Sequence, residues 1–478
     1  MADEEPFKQS LSRWKDHTWS TIWKTGLVRL PRVAPISSLH ITNPGGPFPF
    51  VLQLPSRQLA RTIPLYVFVP HVTFPHPKAK NAVPSPNVFP VVMDYHGGGF
   101  YLGSCLEQAP FCSKLCRDLQ AIVIGVDYRM APLDKFPAAI EDAEDVLSAV
   151  IDPQSAAYFA LREGIAHHLR RHWVEKLSTA KEREEGKVYE VPMPEIYLDP
   201  SRIAFSGASS GGNIALNMAL SVPESQGFPE WPCRIPADYI NQIPLLLLYP
   251  SLDLRQLPSE RFRHPGMPPV KEHKRLDIDD HLAATYVSRE LAAHGRASPG
   301  LIDTSVGLHK QAKILLVLSG IDTLWEQSKI WCEKLEREGR APDVKTMRYE
   351  DRKHGWTVIP EIALSADEKR TRLEVLDECV HFTKLAWDGE DAVSQMKTED
   401  KKGIISPTPT EQAQKVAEGD EDYDHALAEL LEMGFPAHAA QTALDVCGRD
   451  VDTAATWLMD QTDEMMLQGR KEGEADVT

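Results

Sequence analysis

Cysteine is scarce in this chain: seven in 478 residues, at positions 105, 112, 116, 233, 332, 379 and 447. The number is odd and no Cys-x-x-Cys pair occurs, which favours a reducing compartment and argues against a structural zinc site. Cys112 and Cys116 would share a helix face, but two ligands do not make a site, and they read as buried thiols. Long apolar runs are lacking too. The longest, Leu245-Leu246-Leu247-Leu248-Tyr249, is far too short to span a bilayer. The first residues, Met1-Ala2-Asp3-Glu4-Glu5, hold no signal-peptide core. Basic residues are outnumbered, 52 Lys and Arg against 69 Asp and Glu, for a net charge of −17. No basic stripe with interleaved aromatics offers a surface for nucleic acid.

What is present is ordinary for a globular chain, 42% apolar and 25% charged. The length suggests one large domain plus something small. The charge is uneven. Residues 390–478 hold 7 Lys and Arg against 21 Asp and Glu, leaving −3 for the first 389. The acidity belongs to the tail.

The stretch Gly207-Ala208-Ser209-Ser210-Gly211 fits Gly-x-Ser-x-Gly between an apolar run at 202–205 and a helical pattern at 214–220. Such a strand-to-helix turn forces its serine into a strained, exposed position. Side chains two residues to either side would collide with the neighbouring strand or helix, and glycine tolerates the backbone angles. The following helix aims its first N–H groups where negative charge would develop. Small residues are common in plain strand-helix turns, so the motif gains meaning from a base, an acid and an oxyanion loop elsewhere.

Those parts are present. Asp322 and His354 each follow a predicted strand, at 313–318 and 344–349, and the order Ser, Asp, His suits an α/β sheet enzyme. Asp322 could instead cap the helix predicted at 325–338, and Glu326 and Asp351 are substitute acids. His96-Gly97-Gly98-Gly99 follows the buried strand at 88–95. Its glycines leave backbone N–H groups free to converge on an anion. The N–H groups of Gly98, Gly99 and Ser210 are the candidate oxyanion donors.

Strands at 62–69, 88–95, 121–126, 202–205, 244–249, 313–318 and 344–349 alternate with helices at 105–119, 138–150, 214–220, 276–291, 325–338 and 366–385. The fold class is α/β, a mostly parallel sheet with helices on both faces. Residues 152–199 are mostly charged and read as a solvated helical insertion. Residues 7–30 carry Leu11, Trp14, Trp19, Ile22, Trp23 and Leu27 at roughly helical spacing. This segment is either a helix that covers a pocket or an anchor making peripheral membrane contact.

Taken together, His96-Gly97-Gly98-Gly99-Phe100, Asp127-Tyr128-Arg129-Met130-Ala131-Pro132, Phe136-Pro137-Ala138-Ala139-Ile140-Glu141-Asp142, and Gly207 through Asn213 resemble the hormone-sensitive-lipase-like branch of the α/β-hydrolases. Asp322-Thr323-Leu324 and His354-Gly355-Trp356 fit the same pattern, and the resemblance covers about residues 30–388. It implies hydrolysis of carboxylic esters through an acyl-serine on Ser209, with His354 moving the proton and Asp322 holding the imidazole. It implies no metal or organic cofactor and a small-molecule ester substrate. It also implies a cap built from residues 1–60 and 254–300 over a hydrolase domain at 61–388. Two departures stand out: Ala208 where the branch often has Asp, and Ser210 where it usually has Ala. The alternative is a non-catalytic adaptor that uses the same pocket to hold a ligand; a receptor of this branch lacks the histidine that is present here as His354.

After an acidic linker at 389–421, helical patterns return, and an acidic tail follows at 464–478. Leu430-Leu431-Glu432-Met433-Gly434-Phe435 and Cys447 through Leu458 resemble a ubiquitin-associated (UBA) domain at about 422–463. That resemblance implies ubiquitin or ubiquitin chains as partner, bound by Met433, Gly434, Phe435 and Leu458, and a cytoplasmic or nuclear setting. The same helices could serve self-association or pack on the hydrolase.

Overall fold

A run such as Ile243-Pro244-Leu245-Leu246-Leu247-Leu248, short and apolar without alternation, suits a strand covered on both faces. All six of these residues are buried. The computed structural model describes residues 13–33, 35–39, 43, 45–58, 60–70, 87–177, 191–224, 228–267 and 276–403. The chain divides into two compact units, Met1–Val393 and Ser394–Thr478. The first carries the sheet. Its strands are β1 (Phe50–Pro55), β2 (Thr62–Phe68), β3 (Asn87–Tyr95), β4 (Ile122–Val126), β5 (Ile196–Ala208), β6 (Ile243–Leu248), β7 (Ala312–Ile321) and β8 (Val344–Lys353). They lie in the order β1-β2-β4-β3-β5-β6-β7-β8. β2 runs antiparallel to both β1 and β4. From β4 to β8 every pairing is parallel. The α/β class read from the sequence is the class observed.

Alternation along the strands divides the core in two. Val91, Met93 and Tyr95 of β3 pack with helices α3 (Ala138–Ile151), α4 (Ala156–Leu177), α5 (Ser210–Asn217) and α7 (Trp325–Arg337), through Ile140, Leu161, Ile214 and Trp331 among others. Val92 of β3, with Leu246 and Val317, packs on the other face with α2 (Ala109–Leu119) and α8 (Ala366–Gly403), through Phe111, Leu115, Val375 and Cys379. α8 is interrupted at Gly389, whose φ is 79°.

The structure departs from the sequence reading in several places. β1 was hidden by the prolines around it; an antiparallel edge strand tolerates proline at its ends. β5 begins six residues before the apolar run that signals it, because its first turns pair with the start of β3. α2 starts at Ala109 rather than 105, and α6 (Leu276–Tyr286) stops short of 291. The segment after 152 is not merely solvated. α4 buries Tyr158, Leu161 and Ile165 against the main core, an i, i+3, i+7 stripe submerged in charged residues.

The N-terminal helix α1 (Trp19–Arg29) is capped by Thr18, whose hydroxyl accepts from the Thr21 N–H at 3.3 Å. Its buried residues are Thr21, Lys24 and Thr25. Thr21 Oγ1 lies 2.9 Å from His281 Nε2, and Lys24 pairs with Asp277 at 3.1 Å, both on α6. Trp19, Trp23 and Leu27 lie on the other side, 76%, 44% and 49% exposed. The helix therefore covers α6 with its polar face and presents an apolar row outward. Among the described residues no helix is long and apolar enough to cross a membrane.

A Cβ added at Gly211 would stand 1.8 Å from the Tyr95 carbonyl oxygen, backbone against backbone. Gly211→Ala should cost about 3 kcal/mol or more in chemical denaturation. Gly26→Ala, in α1 with nothing within 4 Å of its added carbon, should be neutral or gain up to about 1 kcal/mol.

Candidate active site

Ser209 leaves β5 with φ 55° and ψ −117°, a positive φ that a non-glycine residue keeps only when its surroundings enforce it. Here they do. The Ser209 N–H donates to the Leu248 carbonyl at 2.9 Å, and its own carbonyl accepts from the Ser251 N–H at 2.9 Å and the Asn213 N–H at 3.2 Å. A Cβ on Gly207 would meet the Gly211 carbonyl carbon at 2.3 Å. The two glycines thus set how closely α5 approaches β5 and β3, and α5 begins at Ser210 immediately after the strained residue.

His354 follows the last residue of β8, and Gly355 turns the chain away at φ 79°. The imidazole Nε2 lies 3.0 Å from Ser209 Oγ, and Nδ1 lies 2.6 Å from Asp322 Oδ2. With Nδ1 carrying the proton donated to the carboxylate, Nε2 is left as an acceptor facing the hydroxyl. Asp322 is 1% exposed. Its other oxygen accepts from the Leu324 N–H at 2.8 Å, and α7 begins at Trp325. The carboxylate divides between ordering the start of that helix and holding the imidazole, so both readings of Asp322 describe one of its oxygens. Asp351 instead pairs with Arg352 at 2.6 Å. The Tyr249 ring stands edge-on to the imidazole, 5.0 Å between centroids, and its hydroxyl is bonded to Thr357.

Gly98 and Gly99 have φ of 123° and 60°. A Cβ on Gly98 would lie 1.9 Å from the Leu102 carbonyl oxygen. The Gly98 carbonyl accepts from the N–H groups of Tyr101 and Leu102 at 3.1 and 2.9 Å, folding the loop back on itself. Among the described residues no protein acceptor takes the N–H of Gly98, Gly99 or Ser210. Gly98, Gly99, Ser209 and His354 line one cavity of about 600 Å³.

The loop's shape is held from behind by residues whose roles the sequence did not announce. His96 is fully buried, donates from Nδ1 to the Gly97 carbonyl at 2.7 Å and stacks on Tyr128 at 4.4 Å. The Tyr128 hydroxyl donates to the His96 carbonyl at 2.7 Å. Arg32 reaches from the N-terminal segment to both Asp127 oxygens at 2.6 and 2.7 Å and to the Gly103 carbonyl at 2.7 Å. Burial pushes the Asp127 carboxyl up, but His96 and Arg32 beside it hold it below the usual range. Arg29 donates to the carbonyls of Tyr101 and Ala131 at 3.0 and 2.5 Å. His96, Cys105 and Asp127 place potential metal ligands within 4.8 Å of one another. The guanidinium on Asp127 and a Cys105 thiol that burial pushes well up make this a brace rather than a ligand set.

A strained serine at the carboxyl edge of a parallel sheet, an imidazole at its hydroxyl and a carboxylate behind the imidazole define the nucleophile-elbow class of α/β protein. The alpha/beta hydrolase fold family model matches residues 92–358, more than half of the chain, and the chain belongs to that family. A UBA-like domain model matches residues 424–467. A 3-O-acetylpapaveroxine carboxylesterase of Papaver somniferum is 32% identical over 171 residues, which is 35% of this chain and 44% of that protein. The carboxylesterase NlhH of Mycobacterium tuberculosis is 34% identical over 140 residues, 29% of this chain and 32% of that one. The matched stretch thus spans less than half the length of these curated relatives. A structure of fungal esterases from Rhizomucor miehei aligns over 80% of this chain and 96% of its own, at 20% identity and a TM-score of 0.49. The resemblances read from the motifs, to α/β-hydrolases and to a UBA domain, agree with these matches. Met433, Gly434, Phe435 and Leu458 lie outside the described residues.

Beneath the glycine loop, Asp94 of β3 is buried and accepts from Gln108 Nε2 at 2.8 Å on both oxygens and from the Ser206 hydroxyl at 2.5 Å. Desolvation pushes its carboxyl up to about 6, while Gln108 Oε1 is buried without a partner among the described residues. A folded-state value raised above 3.8 means the native state binds the extra proton, so the contribution of Asp94 to stability should fall as pH rises from about 4 through 6 and stay lower above. Asp94→Asn keeps an acceptor for Ser206 and gives Gln108 Oε1 a donor after an amide flip. The wild type's thermal midpoint should fall relative to that of the Asn variant across that range.

Proposed function

We propose that the chain is a serine carboxylic ester hydrolase working through an acyl-serine intermediate. One observation carries this reading: a single imidazole lies within hydrogen-bond reach of both Ser209 Oγ and Asp322 Oδ2, at 3.0 and 2.6 Å. In this reading Ser209 attacks the ester carbonyl while His354 Nε2 takes its proton, and Asp322 keeps the imidazole oriented and balances its positive charge. The N–H groups of Gly98, Gly99 and Ser210 receive the carbonyl oxygen as it becomes an oxyanion. His354 then protonates the departing alcohol, and water repeats the sequence on the acyl-enzyme. The named activities of the relatives support the same chemistry. Because β1 pairs with β2, the hydrolase domain begins by residue 50 rather than 61 and runs to 388, and the residues before it, with 254–300, form the cap that limits entry to the cavity. The histidine that a non-catalytic adaptor would dispense with faces the serine, which favours the hydrolase.

A fluorophosphonate probe should label the purified wild type and leave Ser209→Ala unlabelled. The same substitution should cut turnover of a short-chain 4-nitrophenyl ester by roughly a thousandfold. Equal labelling of the two proteins would overturn the assignment.

The UBA-like match supports ubiquitin as a partner of the tail, received at Met433, Gly434, Phe435 and Leu458. Such pairing suits the cytoplasmic or nuclear setting that scattered free thiols also support. Amide shifts of isotope-labelled ubiquitin should move on addition of the full chain and stay still with a Met433→Ala/Phe435→Ala chain. Unmoved shifts with the wild type would remove ubiquitin from the account.

A further inference from the structure

The segment after β6 is rich in proline and arginine, and ester hydrolysis alone gives no use for its charges. Arg255 chelates Asp253 at 2.7 to 3.1 Å. Arg261 is different. It follows the short turn Pro258–Glu260, lines the same cavity as Ser209 and His354, and is only part-exposed. Its Nε is buried and has no hydrogen-bond partner among the described residues. The carboxylates whose fields reach it are committed elsewhere. Asp253 is held by Arg255, Asp280 accepts from the Ser259 N–H at 2.9 Å, and Asp322 spends both oxygens on His354 and Leu324. Glu260, the adjacent acid, is bonded to Arg289 and to the Leu257 N–H. Loss of hydration pushes the Arg261 pKa down against the opposing pull of Tyr101 and these carboxylates, as expected of a cation withdrawn from water.

We propose that Arg261 is a specificity-determining residue that receives a carboxylate carried by the substrate, so that the ester cleaved at Ser209 is an anionic one. A guanidinium offers a planar fork of donors that fits a carboxylate with two parallel bonds. An ester that brings such a group would give the cavity-lining guanidinium a directly paired carboxylate when it binds. A neutral ester of the same length would leave the cation stripped of water. Glu107, which lines the same cavity, does not oppose this. Burial pushes its carboxyl up, toward the neutral acid that donates rather than repels.

The inference rests on the ester-hydrolase reading, and the test keeps the two apart. On the acyl side, 4-nitrophenyl hydrogen adipate is compared with 4-nitrophenyl hexanoate. On the alcohol side, 4-acetoxybenzoate is compared with 4-acetoxybenzamide. Wild type, Arg261→Gln and Arg261→Lys are each assayed. The wild type should prefer the anionic member of at least one pair. Arg261→Gln should raise KM for that anionic ester by about tenfold or more, leave the neutral ester's kcat/KM unchanged or improved, and reverse the preference. Arg261→Lys should restore part of it. A wild type that prefers the neutral ester in both pairs overturns the proposal, as does an Arg261→Gln that weakens both members equally. If the wild type cleaves none of the four, it is the hydrolase reading that fails.

Discussion

Everything at this site depends on strand register. Ile321 of β7 faces Lys353 of β8 across a parallel pairing, so the next residues, Asp322 and His354, leave the sheet side by side. Tyr95 of β3 faces Gly207 of β5, so His96 and its glycines emerge beside Ala208 and Ser209. Four strand ends therefore deliver four chemical groups to one edge. No loop needs to wander to bring them together. A slip by one residue in β7 or β8 would turn the carboxylate or the imidazole to the wrong face of the sheet.

This explains what could be read from the residues and what could not. Gly-x-Ser-x-Gly, the glycine run and the positions of Asp322 and His354 were legible because each is a local pattern at the end of an apolar strand. α3, α7 and β6 were legible for the same reason, their apolar periods being strong. β1 and the buried stripe of α4 were not. One is an edge strand bracketed by prolines, and the other hides three apolar contacts among lysines, arginines and glutamates, where composition speaks louder than spacing.

The supports of the site were equally silent in the sequence. Nothing near Arg32 suggests that it pairs with Asp127, 95 residues away, or that Ser206 and Gln108 converge on Asp94. These are long-range contacts between polar groups, and single-chain patterns report neighbours along a helix or strand. The alternatives kept for Asp322 show a related limit. A carboxylate has two oxygens, and the protein uses them for two purposes at once.

Arg29 and Arg32 belong to a segment that contributes no strand to the sheet, yet between them they grip the carbonyls of Tyr101, Gly103 and Ala131 and the carboxylate of Asp127. The segment of α1 and the turn after it is in this sense a tether. A chain that started beyond it would still own every described strand and the side chains of Ser209, Asp322 and His354. It would lose the bonds that Arg29 and Arg32 make to the carbonyls around the glycine loop and to Asp127, so the sheet and the shape of that loop draw on different parts of the chain.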